Sequence, residues 1–269
     1  MSDQKVRLLI LGGTTEAAAL ARRVDAERSD RIAVTTSLAG RLPVPPNLPG
    51  AVRAGGFGGA EGLAAYLAEA GIDLLVDATH PFAAAISREA AEACAARAVP
   101  RLMLVRPPWV TEPGDDWQQV DSFAEAAALL PGLARRVFLA TGPGGAAAFA
   151  PLAEIWFLLR LFAPQATPLP LARYETIIAR PPFTLEGETA LLACHRIEAL
   201  VCKNSGGPTD AKLAAARAAG LPVLILRRPP LPAGEVVVDA SSAMLWLGRR
   251  VATGSTEGCR PVDRFRYRR

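Results

Sequence analysis

Val6-Arg7-Leu8-Leu9-Ile10-Leu11-Gly12-Gly13-Thr14-Thr15-Glu16 opens the chain with a strand's worth of apolar residues, a glycine pair and two hydroxyl side chains. An alanine-rich stretch of helical period follows at once, over 16–26. A strand that turns through glycine into a helix is the first unit of an α/β sheet. Its turn offers backbone N–H groups to an anion at a helix N-terminus, so a nucleotide phosphate is the first ligand it suggests. The spacing is not GxGxxG, and the competing reading is an ordinary strand-to-helix turn in which Glu16 simply favours the helix start.

The alternation continues outward from that unit. Apolar runs at 6–11, 32–36, 74–77 and 102–105 alternate with helical stretches at 16–26, 59–70 and 82–98, and a short strand is expected around Val52. In the last helical stretch Phe82, Ile86, Ala90 and Cys94 recur every four residues as an inward stripe. The breakers in Arg106-Pro107-Pro108-Trp109 and Pro113-Gly114 end a first domain at 1–112. A helix at 121–130 leads into a second set, with strands at 136–140, 155–161, 174–179, 199–202, 223–226 and 236–238 and helices at 185–193, 208–219 and 241–249. Pro208 at the first position and Gly220 past the end punctuate the 208–219 helix. The expected fold is α/β, with two Rossmann-like or flavodoxin-like domains of mainly parallel strands and a cleft between them. Residues 1–112 would bind a dinucleotide, 113–253 a substrate, and 254–269 would form a flexible basic tail.

Composition excludes several classes. Apolar residues make up 51% of the 269, enough for two cores, but their runs are too short to cross a bilayer. Met1-Ser2-Asp3-Gln4-Lys5 leads into no signal h-region, so a cytoplasmic location is expected. The formal charge of +4 is concentrated after Gly254, where five arginines face Glu257 and Asp263. No basic folded surface or binding module accompanies that tail, which argues against nucleic acid as a partner. Cys94, Cys194, Cys202 and Cys259 have no CxxC spacing, so neither a disulfide nor a metal site is expected.

Four junctions carry the candidate chemistry. Gly12, Gly13, Thr14 and Thr15 form the phosphate loop. At the second strand's end an NAD-selective protein places an acid on the ribose, whereas this chain has Ser37, Gly40 and Arg41 there and no carboxylate. A serine donor and an arginine fork suit a 2′-phosphate, so NADPH is the expected cofactor. Asp77-Ala78-Thr79-His80-Pro81-Phe82 then puts Thr79 where it would cap a helix and His80 near nicotinamide or substrate, with Asp77 tying down loop N–H groups. In Lys203-Asn204-Ser205-Gly206-Gly207 the ammonium could grip a carboxylate or donate a proton, and the glycines would admit a flat ligand. Each feature has a plainer reading: Arg41 as a solvated turn residue, His80 as packing, and Lys203 on an ordinary strand-to-helix loop.

In combination the segments resemble the precorrin-6A reductase family of corrin-ring biosynthesis. The resemblance rests on LGGTTEAAALA, TSLAGR, GGFGG, DATHPFAAAIS, RPPW and VCKNSGGPTDAKLAAARAAGLPV, spread from Leu9 to Trp246. It implies a two-domain reductase that takes NADPH in an interdomain cleft and reduces the C18–C19 bond of a carboxylate-bearing tetrapyrrole, precorrin-6A, to precorrin-6B. By the same resemblance Gly12 to Thr15 hold phosphate, Ser37, Gly40 and Arg41 the 2′-phosphate side, and Thr79, His80, Lys203, Asn204 and Ser205 line the cleft, with Lys203 and His80 as catalytic candidates. Thr141-Gly142-Pro143-Gly144 departs from the family pattern at its proline, and the arginine-rich tail is outside it. A cobalt-containing substrate and a non-catalytic dinucleotide-responsive protein are the alternatives. Neighbouring corrin-pathway enzymes are the expected protein partners of a monomer or weak homodimer.

Overall fold

The computed structural model describes residues 5–40 and 47–252. Arg41 and the segment 254–269 lie outside the described residues. Two parallel sheets of six strands each carry the chain. The first is built from β1 (Val6–Leu11), β2 (Ile32–Leu38), β3 (Ala51–Ala54), β4 (Leu74–Asp77), β5 (Arg101–Leu104) and β12 (Glu235–Val237). Its spatial order is β12-β5-β4-β1-β2-β3, the 3-2-1-4-5-6 order of doubly wound dinucleotide-binding sheets.

Alternate residues of β1 explain why helices cover both faces. Leu8 and Ile10 pack against α1 (Thr15–Arg28) and α7 (Ala240–Ala252), whereas Leu9 and Leu11 pack against α2 (Gly59–Glu69) and α3 (Ala84–Arg97). The second sheet repeats the pattern with β6 (Trp117–Val120), β7 (Arg136–Ala140), β8 (Trp156–Leu161), β9 (Tyr174–Ile178), β10 (Ala199–Lys203) and β11 (Val223–Leu226). There Val137 and Leu139 face α4 (Phe123–Leu129), and Phe138 faces the layer of α5 (Leu185–Cys194) and α6 (Ala211–Ala218).

Each sheet has one switch point, where successive connections leave in opposite directions. In the first it lies between β1 and β4; in the second, of order β6-β11-β10-β7-β8-β9, it lies between β7 and β10. Ligands of open α/β sheets gather outside the carboxyl ends of strands at such points.

The structure corrects four local readings. The 236–238 strand does not join the second sheet; as β12 it pairs with β5 through Glu235↔Leu102, Val236↔Met103 and Val237↔Leu104. The helix after it returns to the first core as well, with Ala243, Met244, Trp246 and Leu247 buried beside α1. α3 starts at Ala84 with Ala83 at its N-cap, so Thr79 caps no helix and Phe82 lies outside the helical stripe. α6 starts at Ala211 with Asp210 at its N-cap, so Pro208 is not its first residue.

Candidate functional site

β1 leads into Gly12, whose N–H donates to Ser37 O at 2.9 Å, and Gly13 follows with φ at +104°. A Cβ on Gly12 would come within 3.0 Å of Thr36 Cγ2, so the first glycine lets the turn hug β2, whereas one on Gly13 would meet nothing within 4 Å. The turn is thus tight below and open above. Thr14 is the N-cap of α1: its Oγ1 accepts from Ala17 N–H at 3.1 Å and donates to Ala78 O at 2.7 Å. That hydroxyl ties the loop to β4's end, and the other early N–H groups of α1 have no helical acceptor. Thr15 Oγ1 donates to Glu16 Oε2 at 3.1 Å.

At the neighbouring edge Ser37 is buried and its Oγ accepts from Arg53 at 2.9 Å. Gly40 is exposed in the loop after β2, with φ at +74°. Across the switch point, buried Asp77 Oδ1 accepts from both Thr79 N–H and Thr79 Oγ1, at 3.1 and 2.7 Å, and so shapes the loop as its position in the sequence suggests. His80 Nδ1 accepts from Phe82 N–H at 3.2 Å, which leaves the other ring nitrogen to carry the proton. Burial pushes the His80 pKa down to about 4, and the cations Arg106, Lys203 and Arg228 push the same way against Glu16. His80 is a neutral imidazole at neutral pH.

Of those cations, Lys203 and Arg228 stand at strand ends of the second sheet, and Arg106 lies in the crossing that leads to it from the first. Lys203 ends β10 at the second switch point, with Nζ 5.6 Å from the Phe82 ring and 5.8 Å from that of Phe123. Phe82 leaves the first sheet to pack on the second core. The carboxyl edges of the two sheets therefore meet, and His80 and Lys203 share one electrostatic environment.

Asn204 and Ser205 serve the junction itself. The Asn204 amide clasps the backbone of Trp109, accepting from its N–H at 2.8 Å and donating to its carbonyl at 3.1 Å. Ser205 O accepts from Arg106 Nε at 2.8 Å and Arg228 Nη2 at 2.9 Å. Gly206 and Gly207 are filled by the chain: added Cβ atoms would lie 2.0 Å from Pro107 O and 2.8 Å from Arg106 Cδ. Their closeness serves the linker and not a flat ligand. Lys212 is also buried, its Nζ donating to Thr209 O beneath the Trp109 ring.

Sequence reasoning passed over Arg106, Arg228 and Arg53. Arg106 and Arg228 each precede a Pro-Pro pair where the chain crosses between the sheets, and the repeated Arg-Pro-Pro was the available signal, blunted by a third copy at Arg180. Arg228 donates to Asn204 O, Ser205 O, Arg106 O and Pro107 O, fastening both crossings to the loop after β10.

Comparison with known proteins agrees with this architecture. The family model described as precorrin-6x reductase CbiJ/CobK matches residues 7–248. A precorrin-6A reductase of Rhodococcus erythropolis is 49% identical over 244 residues, covering 90% of this chain and 97% of its own. A solved CobK precorrin-6A reductase superposes with a TM-score of 0.84 at 42% identity, covering 91% of this chain and 97% of that one. A cobalt-precorrin-6A reductase of Priestia megaterium is 29% identical over 242 residues, 85% of this chain and 93% of its own. With a family model spanning nearly all of both sheets, the chain belongs to the precorrin-6x reductase family.

Proposed function

We propose that this chain is an NADPH-dependent precorrin-6A reductase, reducing the C18–C19 bond of the tetrapyrrole to give precorrin-6B. The observation that carries the reading is the meeting of two switch points, a glycine turn with a neutral histidine on one side and Lys203 on the other. When bound, NADPH supplies the hydride, and a proton completes the adjoining carbon. Gly12, Gly13 and the start of α1 take the pyrophosphate, held in shape by Thr14 and flanked by Thr15. Ser37, Gly40 and Arg41 form the 2′-phosphate side. Thr79, locked to Asp77, sets the loop from which His80 faces the cleft.

His80 donates its ring N–H as a neutral group, for its lowered pKa makes imidazolium scarce at neutral pH. Lys203 meets the substrate's carboxylates and is the better candidate to move a proton toward the reduced bond. The metal-free substrate is favoured by the higher identity to the Rhodococcus enzyme, 49% against 29% for the cobalt-precorrin relative. No helix among the described residues is long and apolar enough to cross a membrane, and we place the activity in the cytoplasm.

Anaerobic incubation with NADPH and precorrin-6A tests the whole reading. Loss of absorbance at about 340 nm with a gain of about two mass units in the tetrapyrrole is expected, the hydride and proton of one reduction. Turnover with cobalt-precorrin-6A alone would transfer the assignment. Dinucleotide binding without turnover of either substrate would make the chain a binding protein.

A further inference from the structure

Gly55-Gly56-Phe57-Gly58-Gly59 follows β3, and no step above uses it. The residue that organises this loop is Arg53, which stands opposite Ser37 in the β2–β3 register. Arg53 Nη1 donates to Ser37 Oγ at 2.9 Å and to Gly55 O at 3.0 Å, and Nη2 donates to Gly56 O at 3.1 Å. Its guanidinium carbon lies 3.8 Å from the Phe57 ring centroid and 5.2 Å from that of Tyr66. The fork is therefore fixed in plane and position by the fold. Ser37 Oγ, accepting from Arg53, keeps its own proton to donate. Among the described residues, Cβ atoms added on Gly55, Gly56, Gly58 or Gly59 would meet nothing within 4 Å, so those residues leave the ground beside the fork open.

We propose that Arg53, with Ser37, receives the 2′-phosphate of the dinucleotide and sets the preference for NADPH over NADH. The assignment rests on the reading of a nicotinamide dinucleotide at the β1–α1 turn. In sheets of this order the ribose of that ligand lies at the end of β2, where an acid selects NAD and an arginine accommodates the extra phosphate. Arg53 reaches that place from the adjacent strand, which is why a search along β2 alone does not find it. A phosphate monoester with about −1.5 to −2 charges would meet the Nε–H and the second Nη2–H that those three bonds leave over, and a serine hydroxyl beside them.

Equilibrium binding to the full-length protein tests this without turnover, using NADPH, NADH, adenosine 2′,5′-bisphosphate and adenosine 5′-phosphate as probes. Arg53→Met should weaken NADPH and the bisphosphate by about tenfold or more and leave NADH and the monophosphate within about twofold. Arg53→Lys should recover part of the loss, since charge returns without the fork. The wild-type preference should also grow as pH rises through about 6, where the phosphate gains its second charge, and Arg53→Met should flatten that rise. Unchanged NADPH affinity in the variant, or equal weakening of both dinucleotides with a lowered melting temperature, overturns the assignment and leaves the cofactor reading standing. A wild-type protein that binds neither dinucleotide removes both.

Discussion

Arg106 Nη1 donates to Glu16 Oε2 at 3.0 Å while the same guanidinium, through Nε, donates to Ser205 O at 2.8 Å. One side chain thus joins the start of α1, beside the glycine turn, to the loop that follows β10. Both partners of the ion pair are largely sheltered, with side-chain exposures of 14% and 19%, so solvent screens it less than a surface pair.

Arg106→Met should therefore act on both halves of the site. It leaves the Glu16 carboxylate without its cationic partner and Ser205 O with Arg228 alone as donor, costing about 1–3 kcal/mol of stability by chemical denaturation. It also removes the foremost cationic contribution to the lowered pKa of His80. The imidazole should then titrate above its present value of about 4 when followed by NMR, and an unmoved titration would contradict the electrostatic link.

His80 itself sets a pH window for stability. Its folded pKa of about 4 lies below the unfolded 6.5, so the unfolded chain binds the proton more readily. This histidine is neutral in its effect above the unfolded value, and stability should fall as pH drops from about 6.5 to about 4. His80→Gln should flatten that part of the curve in denaturant titrations. Its kcat should fall less than that of the lysine variant below.

Lys203→Met keeps much of the apolar stem but removes the ammonium that stands near Phe82 and Phe123. Turnover of tetrapyrrole should fall by about a hundredfold or more if the ammonium moves the proton, while NADPH binding stays within about threefold. A rise in KM alone would limit Lys203 to gripping a carboxylate equally in ground and transition states. Near-normal kcat and KM would remove it from the active site.

Gly206→Ala should be more damaging than its size suggests. The added methyl would sit 2.0 Å from Pro107 O at a φ of +66°, so both sterics and backbone oppose it. A loss of about 2 kcal/mol or more is expected. Gly132→Ala, where nothing lies within 4 Å and φ is not positive, is the control and should leave the melting temperature nearly unchanged.

The sequence revealed what short-range physics decides. β1, β4, β7 and β11 begin and end where their apolar runs do. β6 was missed because Trp117-Gln118-Gln119-Val120 is an edge strand with two exposed glutamines and no apolar run. β12 was assigned to the wrong sheet because periodicity reports a strand and not its neighbour; only the pairing with β5 shows which sheet it completes. Arg106 and Arg228 read as flanks of proline breakers, since their carbonyl partners are distant in sequence. Arg53 lay hidden for a similar reason: its role depends on standing opposite Ser37, sixteen residues away.

The return of β12 and α7 to the first sheet also orders the protein's manufacture. Residues 117–226 complete the second sheet as one uninterrupted segment, but the first sheet waits for the strand at Glu235–Val237 and for Trp246. As the chain leaves the ribosome, the second sheet has all its strands while the sheet begun first still lacks one edge and the helix that buries its face. The glycine turn is synthesised well before the strand and helix that finish the sheet supporting it.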